Sequence, residues 1–130
     1  MTSKLHLLLV ASLIPLLSCG QSKQEYVPAL VGFYNLENMY DTLDAPNTDD
    51  AEFLPGSAKQ WGSKRYFRKL DKNASVIAAM GKDLHPQGLA ILGLAEIENR
   101  AVVEDLVARE PLKARGYKVV QVEGIDRRGI

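Results

Sequence analysis

The stretch Leu89–Arg100 runs Leu-Ala-Ile-Leu-Gly-Leu-Ala-Glu-Ile-Glu-Asn-Arg, a nearly unbroken apolar run that stops at two carboxylates, an amide and a guanidinium. A short apolar run of this kind fits a strand buried on both faces. Glu96 then emerges at the strand terminus, where α/β folds tend to build their sites. Upstream lies a second stretch of the same form. Ala29–Tyr34 is apolar throughout and is followed by Asn35-Leu36-Glu37-Asn38. Pro28 suits the entrance of this first strand, which starts the fold over Tyr26–Tyr34, and Gly32 permits close approach of another backbone.

Between the two strands the pattern predicts a helix. Ser63 is its N-cap, Phe67, Leu70, Ala74 and Ile77 form one apolar stripe, and Gly81 stops it after Met80. Its first half carries Lys64, Arg65, Arg68, Lys69 and Lys72. Such a run most often forms a solvated face, the alternative being a patch that steers phosphate. Asp41–Asp50 reads as a solvent loop, and Trp61 as the residue that packs the long connection onto the core. After the central strand, Asn99 caps a second helix over Arg100–Arg109, with Val102, Val103, Leu106 and Val107 facing inward and Pro111 limiting its extension. Gly116 introduces Tyr117–Val122 as a third strand. The order strand, helix, strand, helix, strand predicts an α/β fold with parallel strands. In that topology the carboxyl ends of the first two strands share one sheet edge, so Asn35, Glu37 and Glu96 converge.

The 130 residues are 46% hydrophobic and 25% charged, which excludes a disordered chain and leaves room for one domain. With 16 basic and 16 acidic residues, the overall balance gives no reason to expect a nucleic-acid partner. One cysteine excludes an intramolecular disulfide and a cysteine-based metal cluster. Met1–Ser18 has the anatomy of an export signal: Lys4, then an apolar run over Leu5–Leu17, shorter than the ~20 residues a membrane span needs. It ends in Leu16-Leu17-Ser18-Cys19-Gly20, which resembles the lipobox of bacterial lipoproteins. That resemblance implies cleavage before a lipid-modified Cys19. Residues 19–26 become a lipid-anchored tether, the domain occupies 27–130, and the protein is exported and held on a membrane of the bacterial cell envelope. The alternative is an ordinary cleaved signal with an incidental cysteine. With His6 in the leader, His85 is the one imidazole left to the domain, and its place before Pro86 puts it in a turn.

An amide oxygen with one or two carboxylates, lacking thiolate or paired imidazole, suits a hard cation such as Mg²⁺ or Mn²⁺. Strand-terminal Asn and Glu also serve as helix caps. On spacing alone capping is the commoner use, and both readings stand.

Two motifs carry a more specific resemblance. Phe33-Tyr34-Asn35-Leu36-Glu37-Asn38 and Gly93-Leu94-Ala95-Glu96-Ile97-Glu98 resemble the first two motifs of the endonuclease/exonuclease/phosphatase superfamily, the DNase I-like fold. The resemblance implies the N-terminal portion of a four-layer α/β sandwich and a metal-dependent phosphodiesterase, endonuclease or phosphatase. It makes Glu96 the principal ligand of Mg²⁺ or Mn²⁺ and places Asn35 beside the metal and the scissile phosphate. Glu37 and Glu98 are supporting residues behind the ligand or at the helix entry. Arg128, ahead of Arg127, approaches the phosphate from the lead-in to a further strand. Ala95 stands where the family usually has Gln. The substrates implied are phosphoesters: nucleic acid, phospholipid or inositol phosphate. No obligate protein partner is evident.

The resemblance also sets an expectation about extent. The family's downstream Asp-x-Asn and Asp-His motifs are absent, so these residues read as a fragment without the general base and inactive alone. A non-catalytic, lipid-anchored surface binding protein on the same framework is the alternative.

Overall fold

The computed structural model describes residues 25–122 and 124–130; the expected export signal and the expected lipidation site at Cys19 lie outside the described residues. Its elements are β1 (Leu30–Met39), a short 3-10 turn (Ala51–Phe53), α1 (Ser63–Ala79), β2 (Leu89–Ile97), α2 (Arg100–Val107) and α3 (Glu110–Lys113). The strands pair in parallel, with Val31 opposite Ile91 and Asn35 opposite Ala95. The fold is therefore α/β, as the alternation of patterns predicts.

Local chemistry sets the boundaries. The expected cap at Ser63 moves one residue back: the Gly62 carbonyl accepts from Arg65 and Tyr66, so Ser63 is already helical. At the other end Gly81 takes φ 71°, a left-handed stop that a Cβ would obstruct by meeting Leu30 at 2.8 Å. Asn99 caps α2 as expected, its side chain accepting from the Val102 N–H at 3.0 Å. Pro111 does more than end α2: it sits in the first turn of α3, where its missing N–H has no helical partner to lose. At Gly32 the close neighbour is the Leu89 side chain, 2.5 Å from where a Cβ would stand, rather than another backbone.

The helices cover one face of the sheet. Leu36, Met39, Leu70, Ile77, Val102, Leu106 and Leu112 are fully buried between the layers. The α1 stripe is centred on Leu70, Ala74 and Ile77, as its periodicity predicts. Phe67 falls at its rim, 41% exposed, and Tyr66 takes the inward place. Val102 and Leu106 are the buried residues of α2, with Val103 and Val107 half-buried beside them. Trp61 packs down the long connection. It is 3% exposed, its indole N–H donates to the Tyr40 carbonyl at 3.1 Å, and Phe53 meets its ring edge-on. The opposite sheet face is open: Val31, Phe33 and Ile91 are 70%, 69% and 61% exposed.

The expected third strand does not form. The described sheet has two strands, and residues 117–122 lie alongside without joining the ladder. Side chains hold this segment instead. The Tyr117 hydroxyl donates to the Leu89 carbonyl at 2.7 Å and Arg100 donates to the Val119 carbonyl at 3.4 Å. A cavity of about 930 Å³, lined by Leu92, Leu94, Leu106 and Val119 among others, separates it from β2. Tyr117, Val119 and Gln121 are nevertheless half-buried while Lys118, Val120 and Val122 are exposed, the alternation of an extended chain.

Candidate active site

A regular strand would send Leu36 and Asn38 to the same face. In β1 the buried pair is Leu36 and Met39, three residues apart, and Glu37 and Asn38 loop out with φ 55° and 59°. Opposite them Glu96 also takes a left-handed φ of 55°. Pairing passes from Asn35–Ala95 directly to Met39–Ile97, so three residues of β1 oppose one of β2. A bulge of this kind bends the strand end and re-aims side chains. A left-handed conformation costs an ordinary L-residue about 1–2 kcal/mol, less for Asn. Such geometry persists where surrounding bonds over-determine it.

Those bonds are present, and they run through Glu96. The Asn35 amide donates to Glu96 Oε1 at 2.8 Å, and the Asn38 N–H donates to Glu96 Oε2 at 3.0 Å. Asn35 Oδ1 accepts from the Glu37 N–H at 2.7 Å, which fixes which way its amide faces. The carbonyls that follow are all satisfied. Lys69 Nζ donates to those of Glu37 and Asn38, the Glu98 N–H to that of Met39, and the Trp61 indole to that of Tyr40. Burial lowers the pKa of Lys69, against the opposing pull of the Glu37 and Glu96 carboxylates.

The other expected site residues take distinct places. Glu37 contributes its backbone to the bulge and its charge to the surroundings of Lys69. Glu98 turns away from Glu96 toward the acidic loop, accepting from the Asp41 N–H at 2.7 Å. Asn99 joins it there by donating to Asp41 Oδ2 at 3.0 Å. The Arg128 guanidinium pairs with Asp126 at 2.7 Å, and its backbone carbonyl accepts from the buried Tyr40 hydroxyl. Asp126 raises the Arg128 pKa, and Glu96 adds to the same direction, so this cation lies within electrostatic reach of the strand termini. The Arg127 carbonyl accepts from the Asp49 N–H at 2.9 Å. His85 stays in its turn before β2, its Nδ1 accepting from the Gln87 N–H.

Among the described residues no three His, Cys, Asp or Glu side chains gather as a metal-holding group. Magnesium does not require one: it keeps several waters and is commonly bound through one or two carboxylates. The Glu96 carboxylate, only half-buried and oriented at both oxygens, fits that use as a single protein ligand. Asn35, its oxygen engaged by Glu37 N–H and its nitrogen by Glu96, is placed to orient that ligand.

A model of the endonuclease/exonuclease/phosphatase family matches residues 30–130, from the first residue of β1 through both strand termini. The chain belongs to this family. No curated protein and no solved structure matches it. Members of the endonuclease/exonuclease/phosphatase family are generally hydrolases of phosphoesters that use divalent metals. Two participants escaped the sequence reading. Asn38 acts through its backbone, which leaves no side-chain motif beyond the tolerance of Asn for left-handed φ. Lys69 was hidden in a basic run in which five cations look alike.

Proposed function

We propose that this chain carries the metal-holding half of a phosphodiesterase site, of endonuclease or related type, on part of a four-layer α/β sandwich. The observation that supports it most is the Glu96 carboxylate, held at both oxygens by Asn35 and Asn38 where two parallel strands end. Bound Mg²⁺ or Mn²⁺ would supply Lewis-acid polarisation of a phosphoryl oxygen and stabilise the leaving oxygen. Glu96 would hold that cation, and Asn35 would keep the carboxylate facing it. Arg128, released from Asp126, is a candidate to meet phosphate, and the basic first half of α1 is the steering surface. The exposed Val31, Phe33 and Ile91 suit a sheet face covered by a second layer. His85 sits at the opposite end of β2 from Glu96, so the described residues bring no imidazole base to the strand termini. The 130 residues alone are accordingly inactive in this proposal. Export and a lipid anchor at Cys19 complete it, with nucleic acid, phospholipid or inositol phosphate as substrate.

The test compares the 130-residue chain with the longest natural protein that contains it, on DNA, RNA, sphingomyelin and inositol phosphates, with and without Mg²⁺. The expected result is metal-dependent hydrolysis by the longer protein, lost in Glu96→Gln, and none by the short chain. Plasmid nicking by the short chain that survives Glu96→Gln refutes both the assigned ligand and the inactivity.

A further inference from the structure

Helix α1 reaches the bulge that carries Asn38 through the Lys69 side chain. Helix α1 is seated by Leu70, Ala74 and Ile77, all 0% exposed, and Lys69 is the residue next to the first of them. Its ammonium reaches the carbonyls of both left-handed residues, Glu37 and Asn38, the latter at 3.3 Å. The Trp61 ring flanks it, with Nζ 5.4 Å from the ring centroid. Arg65, one turn earlier, spends its guanidinium on the Lys59 carbonyl instead. Glu37 is a poor residue for φ 55°; Asn35 and Glu96 hold the N–H groups of the two left-handed residues, and Lys69 holds their carbonyls. The N–H of the same Asn38 whose carbonyl Lys69 holds is the one that meets Glu96 Oε2.

We infer that Lys69 is a positioning residue: it clamps the Glu37–Asn38 bulge to α1 and so fixes, through the Asn38 N–H, the carboxylate of Glu96 that holds the cation. The inference rests on the proposed metal role of Glu96, but the clamp itself can be observed without metal. Electrostatics alone predicts the reverse effect on a cation. Removing a positive charge near Glu96 strengthens its attraction for Mn²⁺, whereas loosening the bulge weakens the site. The two accounts differ in sign.

The experiment uses the whole 130-residue chain and four variants: Lys69→Met, Lys69→Arg, Lys69→Gln and Lys72→Met. Lys72→Met deletes the same charge one turn along the basic face. Per-residue amide exchange by NMR, without metal, reads the Asn38 N–H, and water-proton relaxation reads Mn²⁺ affinity. Lys69→Met is expected to speed Asn38 exchange and to weaken Mn²⁺ binding by about tenfold each, the size of one charge-assisted hydrogen bond. Lys69→Arg restores most of both, and Lys72→Met leaves exchange unchanged with Mn²⁺ binding equal or tighter. Lys69→Gln, too short to span both carbonyls, carries the comparison if the methionine variant does not fold. Tighter Mn²⁺ binding in Lys69→Met with unaltered Asn38 exchange overturns the inference. If the wild-type chain binds no Mn²⁺, the metal role of Glu96 fails, and Asn38 exchange still decides whether Lys69 is a clamp.

Discussion

Replacing Asn35 by Asp tests the strand-end geometry with the smallest change in shape. The new carboxylate keeps an oxygen for the Glu37 N–H but puts its second oxygen where the amide now donates to Glu96 at 2.8 Å. One hydrogen bond to a charged group is lost, about 1.5 kcal/mol before allowance for exposure. Two carboxylates about 4 Å apart repel by about 1 kcal/mol in water and about 4 kcal/mol at an effective dielectric near 20. Because Asn35 is exposed and Glu96 half-buried, the lower end applies, and the total penalty at pH 7 is about 2–3 kcal/mol. Such a pair shares a proton, so one folded-state pKa rises above its unfolded value near 4. A raised folded pKa means that stability is intact below about pH 4 and is lost as pH climbs through the folded value. Trp61, the single tryptophan and 3% exposed, reports urea unfolding by fluorescence at each pH. Millimolar Mn²⁺, facing two carboxylates in place of one, should reverse the penalty and bind more tightly than to wild type. A variant as stable as wild type at pH 7, or one whose deficit persists at pH 4, refutes the reasoning.

Leu70→Ala empties the centre of the helix–sheet layer, where Leu70 is 0% exposed, and should cost about 2–5 kcal/mol in urea unfolding, against less than about 0.5 kcal/mol for Lys72→Ala on the outer face. The alkaline limb of the stability curve should be steep. Burial, with the Asp105 hydrogen bond behind it, raises the pKa of Tyr66, and burial followed by Glu98 raises that of Tyr40. Both contributions are intact below the unfolded value near pH 10 and are lost above it, at up to about 1.4 kcal/mol per pH unit for each tyrosine. Tyr66→Phe should flatten the limb by one proton in thermal melts between pH 9 and 11. The open sheet face should bind anilinonaphthalene sulfonate, and Phe33→Ser, which removes a 69% exposed ring, should cut that fluorescence by about half with little change in melting temperature.

Much of this architecture is legible in the residue pattern, because its signals are local. The apolar runs of Ala29–Tyr34 and Leu89–Leu94, the stripe through Leu70, Ala74 and Ile77, and the caps at Gly81 and Asn99 each depend on a few neighbours. The bulge depends on both strands at once. Reading β1 as ending at Tyr34 overlooks that Leu36 and Met39 are both core residues. Placing both inside requires a break from period two, and only the pairing with Ile97 shows where the extra residues go. The segment 117–122 errs in the other direction. Its alternation suits a strand, but a strand also needs backbone bonds to a neighbour, and this segment is held by side chains instead, the Tyr117 hydroxyl on the Leu89 carbonyl of β2 and Arg100 on the Val119 carbonyl.

The same geometry separates the two uses of a strand-terminal Asn and Glu. If Glu96 were a helix cap, its carboxylate would meet the first free N–H groups of α2. Those are served by Asn99, three residues beyond Glu96 in the chain, which accepts from the Val102 N–H. Nor does Asn35 cap a helix: its two polar atoms engage Glu96 and the Glu37 N–H. Both residues are thus released from capping, yet the chain holds Glu96 and two residues of β1 in left-handed conformations to keep them together. Strain retained without a capping role, around a carboxylate left partly open to solvent, is consistent with the cation-ligand role proposed for Glu96. Glu98 shows the contrast, a carboxylate two residues away in the chain that accepts from the Asp41 N–H and so fastens the acidic loop to the sheet. Two glutamates in one Glu-Ile-Glu run therefore divide the work, one aimed at solvent and one at structure, because the left-handed turn at Glu96 sends them in different directions.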